Sequence, residues 1–149
     1  MSFEEYKNYL YKAKKIKLSQ NFNLHEFLIS ERAIHSKIDN LIFDPRIVSN
    51  IQALCVHVLQ PVRDHFKKTV KITSGFRCPE LNKAVGGAIT SQHVKGQAAD
   101  IKVKGISDFE VFKFIKENLE TDQLILEPSW VHVSFNKNKN RKQIIFVKK

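Results

Sequence analysis

Glycine, proline and cysteine are all scarce in this 149-residue sequence, which has five, four and two of them respectively. The low glycine and proline content excludes a collagen-like repeat and a largely disordered chain. Two cysteines, Cys55 and Cys78, are too few for a disulfide framework. No hydrophobic run approaches the roughly 20 residues that a membrane-spanning helix needs. The sequence therefore indicates a globular protein with an ordinary hydrophobic core.

The N-terminal segment MSFEEYKNYLYKAKK also lacks the apolar stretch of a signal peptide. We therefore expect the protein to be synthesised in the cytoplasm without a signal peptide. A chain of 149 residues with 42% hydrophobic residues fits one compact domain. We expect residues 1–149 to form this domain as a monomer, with residues 1–20 as a peripheral arm or a short helix.

Positive charge dominates, since 25 Lys and Arg stand against 15 Asp and Glu and give a net charge of +10. Such a charge favours anionic partners, and it is equally typical of a solubilising surface. The basic segment NKNKNRKQIIFVKK at residues 136–149 invites a nucleic-acid interpretation. No recognition helix or aromatic-basic motif accompanies it, so we expect no specific nucleic-acid partner.

Hydrophobic periodicity predicts helices first and strands mostly last, which favours an α+β fold with an antiparallel sheet and helices packed on one face. Asp44 and Pro45 provide an N-cap and a first helical residue for a long helix to about residue 66, which Pro61 should kink or restart. Further helices are predicted within 23–36, at 79–85 and at 107–119. Strands are predicted at 70–73, 98–103, 123–126, 131–135 and 143–147, with the last two forming an antiparallel hairpin.

Candidate metal ligands occur where a loop meets a strand, in the segment SQHVKGQAAD at residues 91–100. His93 belongs to the loop and Asp100 to the strand, and Gly96 allows the chain to turn tightly between them. Strand alternation places Asp100 on the polar face of its strand and His132 on the polar face of another. If both apolar faces pack on the helices, these two side chains stand side by side with His93 above them.

Two imidazoles and one carboxylate suit Zn²⁺ and leave a fourth position for water, as in a catalytic zinc site. Such a site needs a base, and Glu127, five residues before His132, is the nearest acidic candidate. The alternative is that this spacing occurs by chance among six histidines. The other four, His25, His35, His57 and His65, are interpreted as surface or helix residues.

These motifs resemble the zinc D-Ala-D-Ala carboxypeptidase family, including small phage endolysin-like peptidases and, more distantly, the hedgehog signalling domain. S-x-H-x-x-G-x-A-x-D at residues 91–100 and W-x-H at residues 130–132 carry the resemblance. It extends from about Phe22 to Ile145, and it is strongest in KITSGFRCPELNKAVGGAITSQHVKGQAAD and FIKENLETDQLILEPSWVHVSF. It implies a hedgehog-like fold with the zinc site on the open face of the sheet.

The resemblance also implies a role for individual residues. His93, Asp100 and His132 match the ligands of one zinc ion, and Glu127 matches the general base. Arg77, in the SGFR motif, matches a residue that holds a substrate carboxylate or carbonyl oxygen. The remaining candidates for substrate contact are Ser91, Gln92 and Trp130. Many relatives have a catalytic histidine where this chain has Trp130, which serves either as an apolar wall for the substrate or as simple packing.

The implied function is hydrolysis of peptide bonds in peptidoglycan by a carboxypeptidase, an endopeptidase or an endolysin. Glu127 would take the proton of the attacking water, and Arg77 would offset charge on the tetrahedral intermediate. We expect action on the cell wall after release by a holin or as part of a virion, with anionic wall polymer as a further partner. The alternative is a non-catalytic, zinc-containing module that binds cell wall.

Overall fold

The computed structural model describes residues 1–148, in which helices precede most of the strands. The helices are α1 (Phe3–Ala13), α2 (His25–Leu28), α3 (Glu31–His35), α4 (Pro45–Leu54), α5 (Gln60–Phe66), α6 (Pro79–Ala84) and α7 (Asp108–Asn118), with a π-helical segment at Cys55–Leu59. The strands are β1 (Lys17–Ser19), β2 (Phe22–Asn23), β3 (Val70–Ser74), β4 (Ala98–Val103), β5 (Gln123–Leu126), β6 (Val131–Ser134) and β7 (Gln143–Phe146).

The larger sheet has the strand order β3-β4-β6-β5-β7, and β1 and β2 form a separate two-stranded sheet. The β3–β4, β4–β6 and β6–β5 pairs are antiparallel. β7 pairs with β5 in parallel. This mixed, mostly antiparallel sheet with helices confirms the predicted α+β fold class.

The prediction that strands 131–135 and 143–147 form an antiparallel hairpin is wrong. Both edges of β6 are already paired, one with β4 and the other with β5. The chain therefore crosses to the free edge of β5, where β7 adds a parallel strand. Backbone hydrogen bonds from Lys142 to Thr121 and from Gln143 to Asp122 guide this return.

The predicted long helix continues past Pro61 without a break because a π-helical segment precedes it. Proline has no N–H, and its ring crowds the carbonyl group one turn earlier. The wider turn at Cys55–Leu59 relieves this crowding, and the Gln60 N–H reaches back five residues to the Cys55 carbonyl. The predicted helix within 23–36 is divided into α2 and α3, since Ile29 between them is extended.

The hydrophobic core lies between one face of the larger sheet and the helices. Ile101 of β4 and Val131 and Val133 of β6 are fully buried there, beside Phe112 and Ile115 of α7. Burial of each such side chain contributes about 1.5–3 kcal/mol. The core thus fixes which face of β4 and β6 remains available for polar side chains.

Helix α1 is joined to this core by two tyrosines. Tyr6 is buried, and its hydroxyl oxygen accepts the N–H of Asn40 at 3.2 Å. The hydroxyl oxygen of Tyr9 accepts the N–H of Ile42 at 3.0 Å. Residues 3–13 therefore support the segment 40–42, and the Asn40 side chain in that segment bonds the backbone of Phe76 and Cys78.

Candidate metal centre

The two central strands bring the first pair of candidate ligands together. Asp100 of β4 lies directly opposite His132 of β6 in the antiparallel register. Their side chains share the face of the sheet opposite the core, and His132 Nδ1 lies 2.9 Å from Asp100 Oδ1. Strand alternation places both side chains on this face, and the register of β4 and β6 places them side by side.

A tight loop brings the third candidate ligand, His93, to the same place. Gly96 has φ +72°, and a Cβ at this position would lie 2.7 Å from the Ile47 carbonyl oxygen, so both conformation and space require glycine. His93 Nδ1 lies 2.7 Å from the carbonyl oxygen of Gly75, which fixes the ring through an N–H donated by that nitrogen. His93 Nε2 is thereby directed toward Asp100 Oδ1, at 3.5 Å.

The three side chains offer ligand atoms that lie within 4.8 Å of one another, and within residues 1–148 they are the one such group of histidine, cysteine or acidic residues. Two imidazole nitrogens and a carboxylate oxygen form a typical donor set for zinc, with room for a water molecule. The bond from His93 to the Gly75 carbonyl is the outer contact that commonly orients a metal-binding histidine. The residues present therefore fit a zinc ion.

Asp100 is prepared to act as an anionic ligand. Burial raises the pKa of this carboxyl, but the hydrogen bonds to His132 and His93 outweigh it and hold the pKa well below its ordinary range. Asp100 is consequently ionised at neutral pH, although its side chain is only 12% exposed.

Arg77 lies beside this group, in the loop that follows β3. Its Nη2 is 3.8 Å from Asp100 Oδ2, and its backbone N–H donates to the His93 carbonyl. Burial lowers the pKa of Arg77, and the nearby Asp100 partly offsets that shift. Arg77 stays protonated, because an arginine pKa lies far above neutral pH, and it adds a fixed positive charge next to the candidate ligands.

Two buried asparagines that sequence reasoning missed hold Arg77 in place. Asn82 Oδ1 accepts the Nη1–H of Arg77 at 3.2 Å. The fully buried Asn40 donates to the Phe76 carbonyl and accepts the N–H of Cys78, so it holds the backbone on both sides of Arg77. Neither asparagine belongs to a local motif that could have revealed this role.

Glu127 and Trp130 flank the turn between β5 and β6. The Glu127 N–H donates to the Trp130 carbonyl at 3.0 Å and closes the turn, while Lys102 Nζ donates to the Ser129 carbonyl at 2.6 Å. Ile125 pairs with His132, so Glu127, two residues later, shares the face that carries the candidate ligands. Both Glu127 and Trp130 are partly buried.

A cavity of about 450 Å³ opens over this face. All eight predicted site residues line it: Arg77, Ser91, Gln92, His93, Asp100, Glu127, Trp130 and His132. Gln92 is held by hydrogen bonds from its Nε2 to Gln97 and to Asp122, and Ser91 Oγ accepts the His93 N–H at 3.3 Å. The structure thus brings every predicted site residue into one cavity.

The cavity also includes Arg141, which sequence analysis treated only as part of a basic segment. Its guanidinium group is paired with the buried carboxylate of Asp122, with Nη2 2.8 Å from Oδ2. The two residues are 19 positions apart, and no spacing rule connects them.

The other histidines and the cysteines lie apart from this cavity. The rings of His57 and His65 stack on Phe135 and Phe114 respectively. Cys55 and Cys78 are buried and unpaired, and Cys55 belongs to the core as expected. No helix within residues 1–148 is long and apolar enough to cross a lipid bilayer.

Comparison with known proteins finds one family. The sequence model of the family described as Peptidase M15 matches residues 20–134, a span that contains all eight predicted site residues. Helix α1, Arg141 and β7 lie outside the matched residues. No curated protein matches the chain with significant similarity.

Proposed function

Because this chain belongs to the Peptidase M15 family of zinc D-Ala-D-Ala carboxypeptidase-like enzymes, we propose that it hydrolyses peptide bonds in peptidoglycan stem peptides or cross-links. The observation that carries the proposal is the cavity that contains the His93, Asp100 and His132 group together with Glu127 and Arg77. A peptidase needs an activated water, a base and a positive charge: a zinc ion held by His93, Asp100 and His132 would supply the first, Glu127 the second and Arg77 the third.

His93, Asp100 and His132 would hold one zinc ion. When bound there, Zn²⁺ supplies Lewis acidity, which lowers the pKa of a water molecule and polarises a carbonyl group. The His93 ring is fixed by the Gly75 carbonyl, and Asp100 stays ionised at neutral pH, so both groups suit a cation.

Glu127 acts as the general base in this proposal. Glu127 lines the cavity just past the end of β5, two residues after Ile125, which is the strand partner of His132. It accepts the proton of the attacking water and delivers it to the leaving amine. This transfer returns Glu127 to its carboxylate form and yields the free amine and a carboxylic acid, whose remaining proton passes to the amine at neutral pH.

Arg77 binds the substrate and offsets negative charge that develops on the carbonyl oxygen. Its guanidinium is held by Ser74, Asn82 and the neighbouring Asp100. A positioned donor of this kind lowers the barrier because it needs no reorganisation during the reaction. Ser91, Gln92 and Trp130 line the same cavity and complete the substrate surface.

The replacement Glu127→Gln tests the assigned chemistry. We expect release of muropeptide fragments, measured by mass spectrometry with a chelated control, to fall by about 10²–10⁴-fold, because the base is lost. Zinc content should stay that of the parent protein. Glu120→Gln is the matched control, since Glu120 is exposed and lies outside the cavity. Equal turnover by Glu127→Gln and the parent would remove Glu127 from the mechanism.

A second candidate function is a non-catalytic zinc-containing module that binds cell wall. Trp130, in the position where many relatives carry a catalytic histidine, favours this alternative. Zinc-loaded parent protein that binds purified peptidoglycan and releases no fragment would support it over the peptidase.

We also propose that the protein reaches the wall as a phage endolysin released by a holin, or as part of a virion. The net charge of +10 would favour retention on anionic wall polymer. Retention should weaken as salt rises, since screening shortens the range of surface charges. Lysis of intact cells from outside without a permeabilising agent would contradict dependence on a holin.

A further inference from the structure

The cavity has a second arginine, Arg141, beyond the part of the chain that matches the family. Arg77 follows β3 at one edge of the larger sheet, and Arg141 precedes β7 at the other edge. The candidate metal ligands Asp100 and His132 belong to the central strands between them. The cavity therefore has a cationic group on each side of the candidate metal centre.

Arg141 is held in place by a buried carboxylate. Asp122 is only 2% exposed, and it accepts the backbone N–H of Arg141 as well as its Nε–H and Nη2–H, at 2.8–3.2 Å. Asp122 also accepts the Nε2–H of Gln92 at 2.9 Å. One buried acid thus positions two side chains on the cavity wall, which limits the entropy that Arg141 would lose on binding.

The Arg141 guanidinium can still donate hydrogen bonds to a ligand. Its side chain is 57% exposed, and Nη1 donates to no acceptor within residues 1–148. Asp100 and Glu127 are the only acidic residues among those that line the cavity, and Asp100 is committed to the candidate metal centre. An arginine so placed is suited to a planar carboxylate.

We propose that Arg141 binds a free carboxylate of the substrate peptide and makes the enzyme specific for an anionic stem peptide, an inference that rests on the proposed function. Neighbouring strands lie ~4.8 Å apart, so in the order β4-β6-β5-β7 the last strand lies about 12 Å from the midpoint between β4 and β6. An extended peptide covers this distance in about four residues. The recognised carboxylate therefore lies no further than about four residues from the scissile bond.

The test uses synthetic stem peptides that differ only in their carboxylates. One peptide keeps every carboxylate free, and each of the others has a single carboxylate amidated. For the zinc-loaded parent we expect amidation of one carboxylate to lower kcat/KM about tenfold, mainly through KM. In Arg141→Gln this loss should disappear, because all peptides should bind as weakly as the amidated one. Arg141→Lys should restore part of the preference.

Lys139→Gln is the matched control, since it removes one exposed positive charge outside the cavity and should keep the parent's preference. The inference is overturned if the parent treats all the peptides alike, or if Arg141→Gln discriminates between them as the parent does. Failure of the parent to cleave any peptide would contradict the proposed function instead. In that event, the dissociation constants of the free and amidated peptides are measured by calorimetry for the parent and for Arg141→Gln. The same pattern of preference and its loss then decides the role of Arg141.

Discussion

Buried polar residues organise the site at the scale of single side chains. Asn40, Asn82 and Asp122 are each at most 4% exposed, and each bonds a residue that lines the cavity or the backbone beside it. A buried polar group without its partner costs about 1–3 kcal/mol. These residues therefore determine where the cavity residues stand, although they lie outside the cavity lining.

The buried Asp122 carboxylate should make the stability of the fold depend on pH. Burial raises its pKa, but hydrogen bonds from Arg141 and Gln92 outweigh that effect and lower the pKa from its ordinary value of 3.8. A lowered pKa in the folded state means that the ionised carboxylate stabilises the fold above about pH 4, and that this contribution is lost as pH falls through the folded value.

We expect Asp122→Asn to lower the free energy of unfolding at pH 7 by about 1–3 kcal/mol, because charged hydrogen bonds are weakened. The difference from the parent should shrink below pH 4, as measured by urea unfolding between pH 2.5 and pH 7. Glu120→Gln, which removes an exposed carboxylate, should change stability little. If Asp122→Asn lowered the free energy of unfolding equally at pH 2.5 and at pH 7, the ionised Asp122 carboxylate would not be what stabilises the fold.

At the scale of secondary structure, helix α1 should stabilise the fold through the bond between Tyr6 and Asn40. Tyr6→Phe removes the acceptor of the buried Asn40 N–H, and we expect the free energy of unfolding to fall by about 1–3 kcal/mol. Tyr11→Phe is the same chemical change on the exposed face of the same helix and should change it by less than about 0.5 kcal/mol. Equal effects of the two replacements in urea unfolding would show that α1 does not support the Asn40 segment.

The strands that carry the candidate ligands Asp100 and His132 could be predicted, because their sequence alternates. β4 has the predicted bounds, β6 ends one residue earlier than predicted, and alternation was enough to place Asp100 and His132 on the same face of the sheet. Helix α7 likewise lies within the predicted range 107–119, and Ser107 Oγ accepts the Glu110 N–H at its start. In these elements the information is local.

Features that depend on contacts between distant residues could not be predicted. The parallel pairing of β7 follows from the occupied edges of β6, which no local pattern records. Asn40 contacts residues 36 and 38 positions away, and Gln92 contacts Asp122 across 30 positions. The role given to Arg77 came from the family resemblance, whereas Glu127 was also indicated by its place five residues before His132, and both roles stay predictions.

We propose at the scale of the whole molecule that residues 1–149 form one domain. The sole tryptophan, Trp130, reports on the cavity, while far-ultraviolet circular dichroism reports on the helices. We expect both signals to change at the same urea concentration in a single transition. Separate transitions, with part of the helical signal lost first, would instead indicate that residues 1–20 form an arm that unfolds independently.

Zinc binding is the most direct test of the account, because every proposed role depends on the centre formed by His93, Asp100 and His132. Calorimetric titration of the metal-free protein with zinc should give one ion per chain. The affinity should fall at least about 100-fold in His132→Ala. His35→Ala should match the parent, since His35 is exposed and outside the cavity. Unchanged zinc affinity and stoichiometry in His132→Ala would contradict the account.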